Sequence, residues 1–162
     1  MIVVKKLKED RWKEYRNLLL EALNKEPTAF GSSYDEEKNL SENEWRKRIR
    51  NTLFALSKNK LIGMVVYTYN TKIKTKHVAN IFGIYVTKEC RGQGVGMKLI
   101  DNVLTEIQKS KDVVKIKLTV NPKQKAAVKL YKKYGFKIVG RLKKELHVDG
   151  RFYDDWIMEK LL

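Results

Sequence analysis

One cysteine in 162 residues, Cys90, leaves no partner for an internal disulfide. The two histidines, His77 and His147, stand far apart with no further ligands at metal spacing, so no metal site is read from the sequence. No apolar run comes near the roughly 20 residues of a membrane-spanning helix. The first residues, Met1-Ile2-Val3-Val4-Lys5-Lys6, lack the charged-then-apolar order of a signal peptide and read as a strand. A cytoplasmic protein with no membrane association is the expectation. Repeats and low-complexity linkers are absent, and the length suits one domain over residues 1–162. Acid is scarce: 35 Lys and Arg against 19 Asp and Glu give a formal charge of +16. That surplus attracts anions. The lysines are spread along the chain, however, and aromatic residues are not interleaved with them in a stacking pattern. They read as a solvated surface rather than a nucleic-acid face.

What is present is concentrated in one segment, Ile84-Tyr85-Val86-Thr87-Lys88-Glu89-Cys90-Arg91-Gly92-Gln93-Gly94-Val95-Gly96-Met97. It reads as a strand that runs into a basic, glycine-spaced loop and then opens a helix. Such a loop can turn several backbone N–H groups toward one anion, and the helix adds its positive end. Gly92, Gly94 and Gly96 let a pyrophosphate approach the main chain, and Arg91 can add a forked cationic contact. A Walker loop would need Gly-Lys-Ser/Thr, and a dinucleotide fingerprint would need G-x-G-x-x-G; here the order is G-x-G-x-G. Cys90 has no neighbouring His in a nucleophile motif, so it carries no catalytic role.

The remaining pattern, Arg91-x-x-Gly94-x-Gly96, resembles the acetyl-CoA loop of the GNAT N-acetyltransferase superfamily. A second block, from Val120 through Asn121-Pro122-Lys123-Gln124 to Leu130-Tyr131-Lys132-Lys133-Tyr134-Gly135-Phe136, resembles that family's fifth strand and following helix, which typically ends Leu-Tyr-x-Lys-x-Gly-Phe. The two blocks stand in the family's order and separation. The resemblance spans the chain, although the N-terminal third matches only in its pattern of elements.

Hydrophobic periodicity and turn chemistry give the elements. Residues 2–7 read as a strand and 10–24 as a helix with Trp12, Tyr15, Leu19, Ala22 and Leu23 on one face. Residues 25–40 contain Pro27, Gly31, Ser32 and Ser33 and read as a loop. Ser41-Glu42-Asn43-Glu44 has capping-box spacing, so a helix is expected to about Asn51. Residues 53–57 and 61–69 read as a hairpin, 77–87 as a strand and 94–110 as a helix burying Leu99, Ile100, Val103, Leu104 and Ile107. A strand over 113–120, a helix over 123–134 and a hairpin over 136–161, turned at Asp149-Gly150, complete the chain. The order β-α-α-β-β-β-α-β-α-β-β is the one the resemblance implies. It corresponds to a mixed, mostly antiparallel, seven-stranded α/β (α+β) sheet flanked by about four helices.

By the same resemblance, strands 77–87 and 113–120 splay apart and pantetheine lies between them. The main chain of Ile84, Tyr85 and Val86 would pair with it and polarise the thioester carbonyl. Arg91, Gly92, Gln93, Gly94, Val95, Gly96 and Met97 would hold the pyrophosphate, with Gln124, Ala127 and Tyr131 along the following helix. Gln124 stands where relatives often have Asn, and Lys88 replaces a common proline. Tyr131 is the expected general acid: a phenol with a pKa of about 10 can protonate a departing thiolate whose thiol sits near 8.5. Many relatives carry a Glu near the position of Asn80, which cannot accept a proton. At neutral pH a lysine-type amine is almost fully protonated, whereas an α-amine near 7.7–8.0 is partly neutral. The missing carboxylate therefore tilts the acceptor toward a less basic amine, and the basic surface disfavours polycations. An acidic pocket, from Asp35, Glu36 and Glu37 for instance, would reverse both arguments. Phe30, Tyr34 and Asn80 are the acceptor-side candidates, with Asp149, Tyr153, Asp154 and Trp156 as a second wall.

The expected activity is acetyl transfer from acetyl-CoA to a primary amine, on a small molecule or a protein N-terminus, by direct attack in a ternary complex without a metal. Two alternatives stay open: a CoA-binding fold without catalysis that serves as a sensor, and a ribosome- or nucleic-acid-associated basic protein. A homodimer is left open as the assembly.

Overall fold

The computed structural model describes all 162 residues. Seven strands form one sheet: β1 (Ile2–Lys5), β2 (Thr52–Ser57), β3 (Lys60–Tyr69), β4 (Val78–Val86), β5 (Lys115–Val120), β6 (Lys137–Val148) and β7 (Arg151–Leu161). Their spatial order is β1-β2-β3-β4-β5-β7-β6, antiparallel throughout except between β4 and β5. Five helices accompany it: α1 (Trp12–Lys25), α2 (Tyr34–Glu37), α3 (Glu42–Arg48), α4 (Val95–Gln108) and α5 (Lys125–Lys133). This is the mixed, mostly antiparallel sheet expected from the sequence. No helix is long and apolar enough to cross a membrane.

Two cores lie on the two faces. On one, α4 presents Val95, Leu99, Ile100, Val103, Leu104 and Ile107 at helical spacing, and α5 adds Val128 and Tyr131. On the other, Tyr15, Leu18, Leu19 and Leu23 of α1 meet Trp45 of α3. Strand alternation feeds both: Leu53 and Ala55 of β2 join the first core, Phe54 and Leu56 the second. Each fully buried large side chain contributes about 1.5–3 kcal/mol of transfer free energy.

The local chemistry explains the element ends. Ser41 accepts from the Glu44 N–H while the Glu44 carboxylate accepts from the Ser41 N–H, the capping box expected from the spacing. The same device at Ser33 and Glu36 starts α2 inside residues 25–40, which the sequence reading assigned to loop. The β2–β3 turn holds Lys58 and Asn59 at φ 47° and 64°, and the β6–β7 turn holds Asp149 and Gly150 at 49° and 73°. Two successive positive φ values match the twist of a tight hairpin. The first strand, expected to reach residue 7, ends at Lys5, and Leu7 packs against the second core.

Candidate active site

The feature that makes a site is a break in the sheet. β4 and β5 pair in parallel only at Val78–Lys115, Ala79–Ile116 and Asn80–Lys117. Both strands continue, to Val86 and Val120, without pairing to each other. The facing main-chain groups therefore lose ladder partners and need others. A cavity of about 640 Å³ opens at this divergence, within the size range of small-molecule sites. Its walls are residues 81–84 of β4, the end of β5, the face of α5, residues 28–32 after α1, and part of the β6–β7 hairpin.

A bulge shapes the β4 wall. The β3–β4 register passes from Val65–Ile84 to Val66–Phe82, leaving Gly83 as the extra residue. The bulge reverses strand alternation: Ile81 packs in the α4–α5 core, whereas Tyr85 packs in the α1–α3 core. Gly83 is also a notch. A Cβ there would lie 2.2 Å from Cε1 of Phe30, so the Phe30 ring is seated directly on the glycine, along the cavity wall.

Gln124, just ahead of α5, and Ala127 and Tyr131 on it line the cavity, as does Ile84 from β4. Gln124 donates through Nε2 to Thr28 Oγ1 at 3.3 Å, tying α5 to the loop opposite. Tyr131 is 4% exposed and packs edge-on against Phe136, centroids 5.8 Å apart. Burial alone pushes its pKa up from the usual phenol value, so it carries its proton at neutral pH.

Residues 91–97 lie outside the cavity lining, beyond the end of β4. Gly92 and Gly94 hold φ of 75° and 79°. A Cβ on Gly92 would meet nothing within 4 Å, and one on Gly94 only the Met97 Cε, at 3.5 Å. The main-chain approach is therefore open. Lys98 is the first N–H of α4 to find a carbonyl, that of Gly94 at 3.1 Å. The N–H groups of Val95, Gly96 and Met97 precede it and are the unpaired donors of a helix start. Arg91 is engaged: Nε donates to the Val86 carbonyl at 3.0 Å and a terminal nitrogen to Glu26 at 2.9 Å. Gln93 donates to the Glu89 carbonyl at 3.1 Å. This open loop, the unpaired donors and the adjacent gap fit a ligand made of an anionic phosphate head and an extended amide-bearing arm.

Two expected acceptor-side residues sit elsewhere, and Tyr85, expected to act through its main chain alone, turns its side chain away. Tyr34, on α2, is 38% exposed and does not line the cavity. Asn80 lies in the paired stretch, donating to Asn70 Oδ1 at 2.8 Å. The Tyr85 side chain, on the far face, donates to Glu21 at 2.8 Å, leaving only its main chain near the gap. The acidic trio is dispersed as well: Asp35 pairs with Lys38, Glu36 caps α2, and buried Glu37 pairs with Arg48. On the last hairpin, the cavity residues are Glu145, Leu146 and Asp155 rather than Asp149, Tyr153, Asp154 or Trp156.

Asp155 and Asn121 are what the sequence reading missed. Asp154 is held by the Lys144 N–H at 2.8 Å and by Arg141, which keep its carboxyl below the usual range. Asp155, on the opposite face of β7, lines the cavity, is 7% exposed, and leaves Oδ1 without a partner. Burial, with Glu145 and Asp154 nearby, pushes its pKa up to about 6. Asn121, 3% exposed, also lines the cavity; its Oδ1 accepts from the Lys123 N–H at 2.9 Å and its Nδ2 is unpaired. One signal was available: in the Tyr153-Asp154-Asp155-Trp156-Ile157 run, Asp155 shares a strand face with Tyr153 and Ile157, where an acid is out of place.

The model of the Acetyltransferase (GNAT) family matches residues 6–136. The L-amino acid N-acetyltransferase AaaT of Escherichia coli strain K12 is 29% identical over 126 residues, covering 75% of this chain and 77% of that protein. Among solved structures, an acetyltransferase of the GNAT family from Streptococcus pneumoniae superposes with a TM-score of 0.86 at 24% identity, over 100% of both chains. The yncA protein of Salmonella typhimurium, solved with its cofactor acetyl-CoA, gives 0.82 at 13% identity over 100% of this chain and 94% of that one. At these identities the two structures establish the fold.

Proposed function

The chain belongs to the acetyltransferase (GNAT) family and is an N-acetyltransferase; on that premise we propose that it moves the acetyl group of acetyl-CoA to a primary amine, on a small molecule or a protein N-terminus, by direct attack in a ternary complex. The carrying observation is the unpaired divergence of β4 and β5, with Tyr131 on the wall of the cavity it opens. One sequence relative, named for L-amino acids, and one structural neighbour, solved with acetyl-CoA, bear on the reading. Residues 1–162 serve as one catalytic domain, and the single cysteine suits a reducing compartment, the cytoplasm.

Acetyl-CoA brings an activated acetyl group and a sulfur that can leave as thiolate. The protein supplies the rest. Donors of residues 92–97 and the positive end of α4 hold the pyrophosphate. The main chain of residues 84–86 pairs with the pantetheine arm and directs one N–H at developing negative charge. Gln124 and Ala127 flank the arm, Phe30 walls the acceptor side, and the Tyr131 hydroxyl gives its proton to sulfur.

The test is acetyl-CoA consumption against a panel of amines, with the acetylated product identified by mass spectrometry. Transfer to one or more amines is expected. Tight CoA binding without turnover on any amine would replace this reading with that of a CoA-binding sensor.

A further inference from the structure

Resting on the reading of the chain as an amine acetyltransferase, we propose that Asp155 receives the acceptor's ammonium and takes its proton, while Asn121 holds a carbonyl or carboxylate oxygen next to that amine. The acceptor is thus an α-amine: a free amino acid or the first residue of a peptide.

The geometry carries this. Val120–Trp156 is the last pair in the β5–β7 register. Asn121 follows directly on β5 and Asp155 precedes Trp156 on β7, so one further step of that register would set them against each other. Both line the cavity that holds Tyr131. Both are more than nine-tenths buried, and each has one polar atom without a protein partner: an acceptor on Asp155, a donor on Asn121. Buried polar atoms are seldom left unpaired, and these two, unlike Trp45 Nε1 in the α1–α3 core, face a cavity that a ligand or water can enter. The Lys123 N–H fixes the Asn121 amide from its oxygen side, which presents Nδ2. A ligand that answers both must donate and accept within a few bonds. An α-amine beside a carbonyl does so; a simple alkylamine or a lysine side chain does not.

Charge agrees. Arg48 also lines the cavity, but its guanidinium is paired with Glu37. Glu145, from β6, adds a second carboxylate at the exposed rim. The other titratable groups around Asp155 are Asp154 on its own strand, held by Arg141, and the Tyr131 and Tyr15 hydroxyls of α5 and α1. No free cation competes for Asp155 among these. Carboxylates from β6 and β7 thus face the cavity and accept a charged amine, which reverses the expectation drawn from the basic surface but leaves the tilt toward a less basic amine to be decided by basicity. Asp155, pushed to about 6, lies about two pK units below an α-ammonium and more than four below a lysine ammonium. The uphill transfer is then about a hundredfold for the first and above ten-thousandfold for the second.

The protons balance. The ammonium gives one proton to Asp155, and the freed lone pair forms the C–N bond as the C–S electrons pass to sulfur. Sulfur takes a proton from Tyr131. The nitrogen sheds its second proton, which restores Tyr131 through water. Asp155 releases its own to solvent, so one proton is produced per turnover.

The full chain and its Asp155→Asn, Asp155→Glu and Asn121→Asp variants are assayed with amino acids, an N-terminal peptide and simple alkylamines, from about pH 5 to about 9. In Asp155→Asn, kcat/KM is expected to fall about a hundredfold or more. The acid limb bending near pH 6 should vanish, while CoA affinity by calorimetry stays unchanged; Asp155→Glu recovers part of the rate with a limb restored. Asn121→Asp keeps the turn and raises KM for α-amines but not for any alkylamine used. A retained acid limb with kcat/KM within a few fold of the parent in Asp155→Asn overturns the proposal and leaves the acetyltransferase reading standing. Failure of the parent chain on every amine removes both.

Discussion

Replacing Asp155 by asparagine should make the protein more stable at neutral pH even as it damages the site. In the unfolded chain this carboxyl titrates near 3.9; in the fold it titrates near about 6. Below pH of about 4 it is protonated in both states and contributes nothing. Between about 4 and about 6 the folded state keeps a proton that the unfolded chain has lost, so stability falls as pH rises. Above about 6 both states are ionised and the whole penalty is present. Two pK units at about 1.4 kcal/mol each give about 3 kcal/mol at most. Asparagine has nearly the same shape and no charge, so it escapes this penalty. Burial raises Tyr131 and Tyr15, which stay neutral over this range, and Glu145 and Asp154 are the carboxylates that act on Asp155 and can blur the curve. Urea unfolding of both proteins at unit steps from pH of about 4 to about 8 measures the difference directly. It should be near zero at the acid end and grow to about 2–3 kcal/mol in favour of Asp155→Asn, levelling above neutrality. A gap independent of pH, or an asparagine variant less stable at the alkaline end, refutes the reasoning. A carboxylate kept at such a penalty is the usual mark of a group retained for chemistry.

Tyr131→Phe should lower turnover tenfold or more while the ring keeps its packing on Phe136 and the melting temperature stays within a few degrees; unchanged turnover would remove Tyr131 from the mechanism. Gly83→Ala places a methyl at the Phe30 ring and should destabilise by about 1–3 kcal/mol and raise the acceptor KM. Adding Phe30→Ala should relieve the instability, and a stable, unaltered single variant would contradict the packing described. Gly94→Ala, at φ 79°, should cost about 1–2 kcal/mol by thermal unfolding and weaken CoA in calorimetry more than it weakens acceptor binding.

The legible parts of the molecule were those whose signal is local. The phosphate loop and the start of α4 lie within a few consecutive residues, and Leu99, Ile100, Val103, Leu104 and Ile107 mark the buried face of α4 by spacing alone. The Ser41 box marks the start of α3, whereas the same box at Ser33 is hidden in a stretch, Gly31, Ser32 and Ser33, whose composition is that of a loop. The Gly83 bulge has no periodic signature; one extra residue sends Tyr85 to the far face, so a strand read at constant alternation misplaces its side chains. The acceptor side was least legible. Phe30, Asn121 and Asp155 come from three distant segments, and only the β5–β7 register brings the last two together.

That register also resolves the conflict between a chain of net charge +16 and a cationic acceptor. The two ligands differ in sign, and the wedge separates their ends. At the mouth, the start of α4 favours the anionic carrier, and the long-range field of a chain of net charge +16 raises its encounter rate. Physiological salt screens surface charge over about 8 Å, whereas Asp155 acts at contact distance from inside a poorly solvated cavity, where a carboxylate counts for more. Arg48, the one guanidinium on the cavity wall, is cancelled by Glu37, so the wall keeps a net negative sign from buried Asp155 and, at the rim, Glu145. Breaking that cancellation is the decisive perturbation. Glu37→Gln should free Arg48, draw the carboxyl of Asp155 back toward its ordinary range, and shift the acid limb of turnover to lower pH. A limb that does not move would mean that Arg48 and Asp155 do not share the cavity's field.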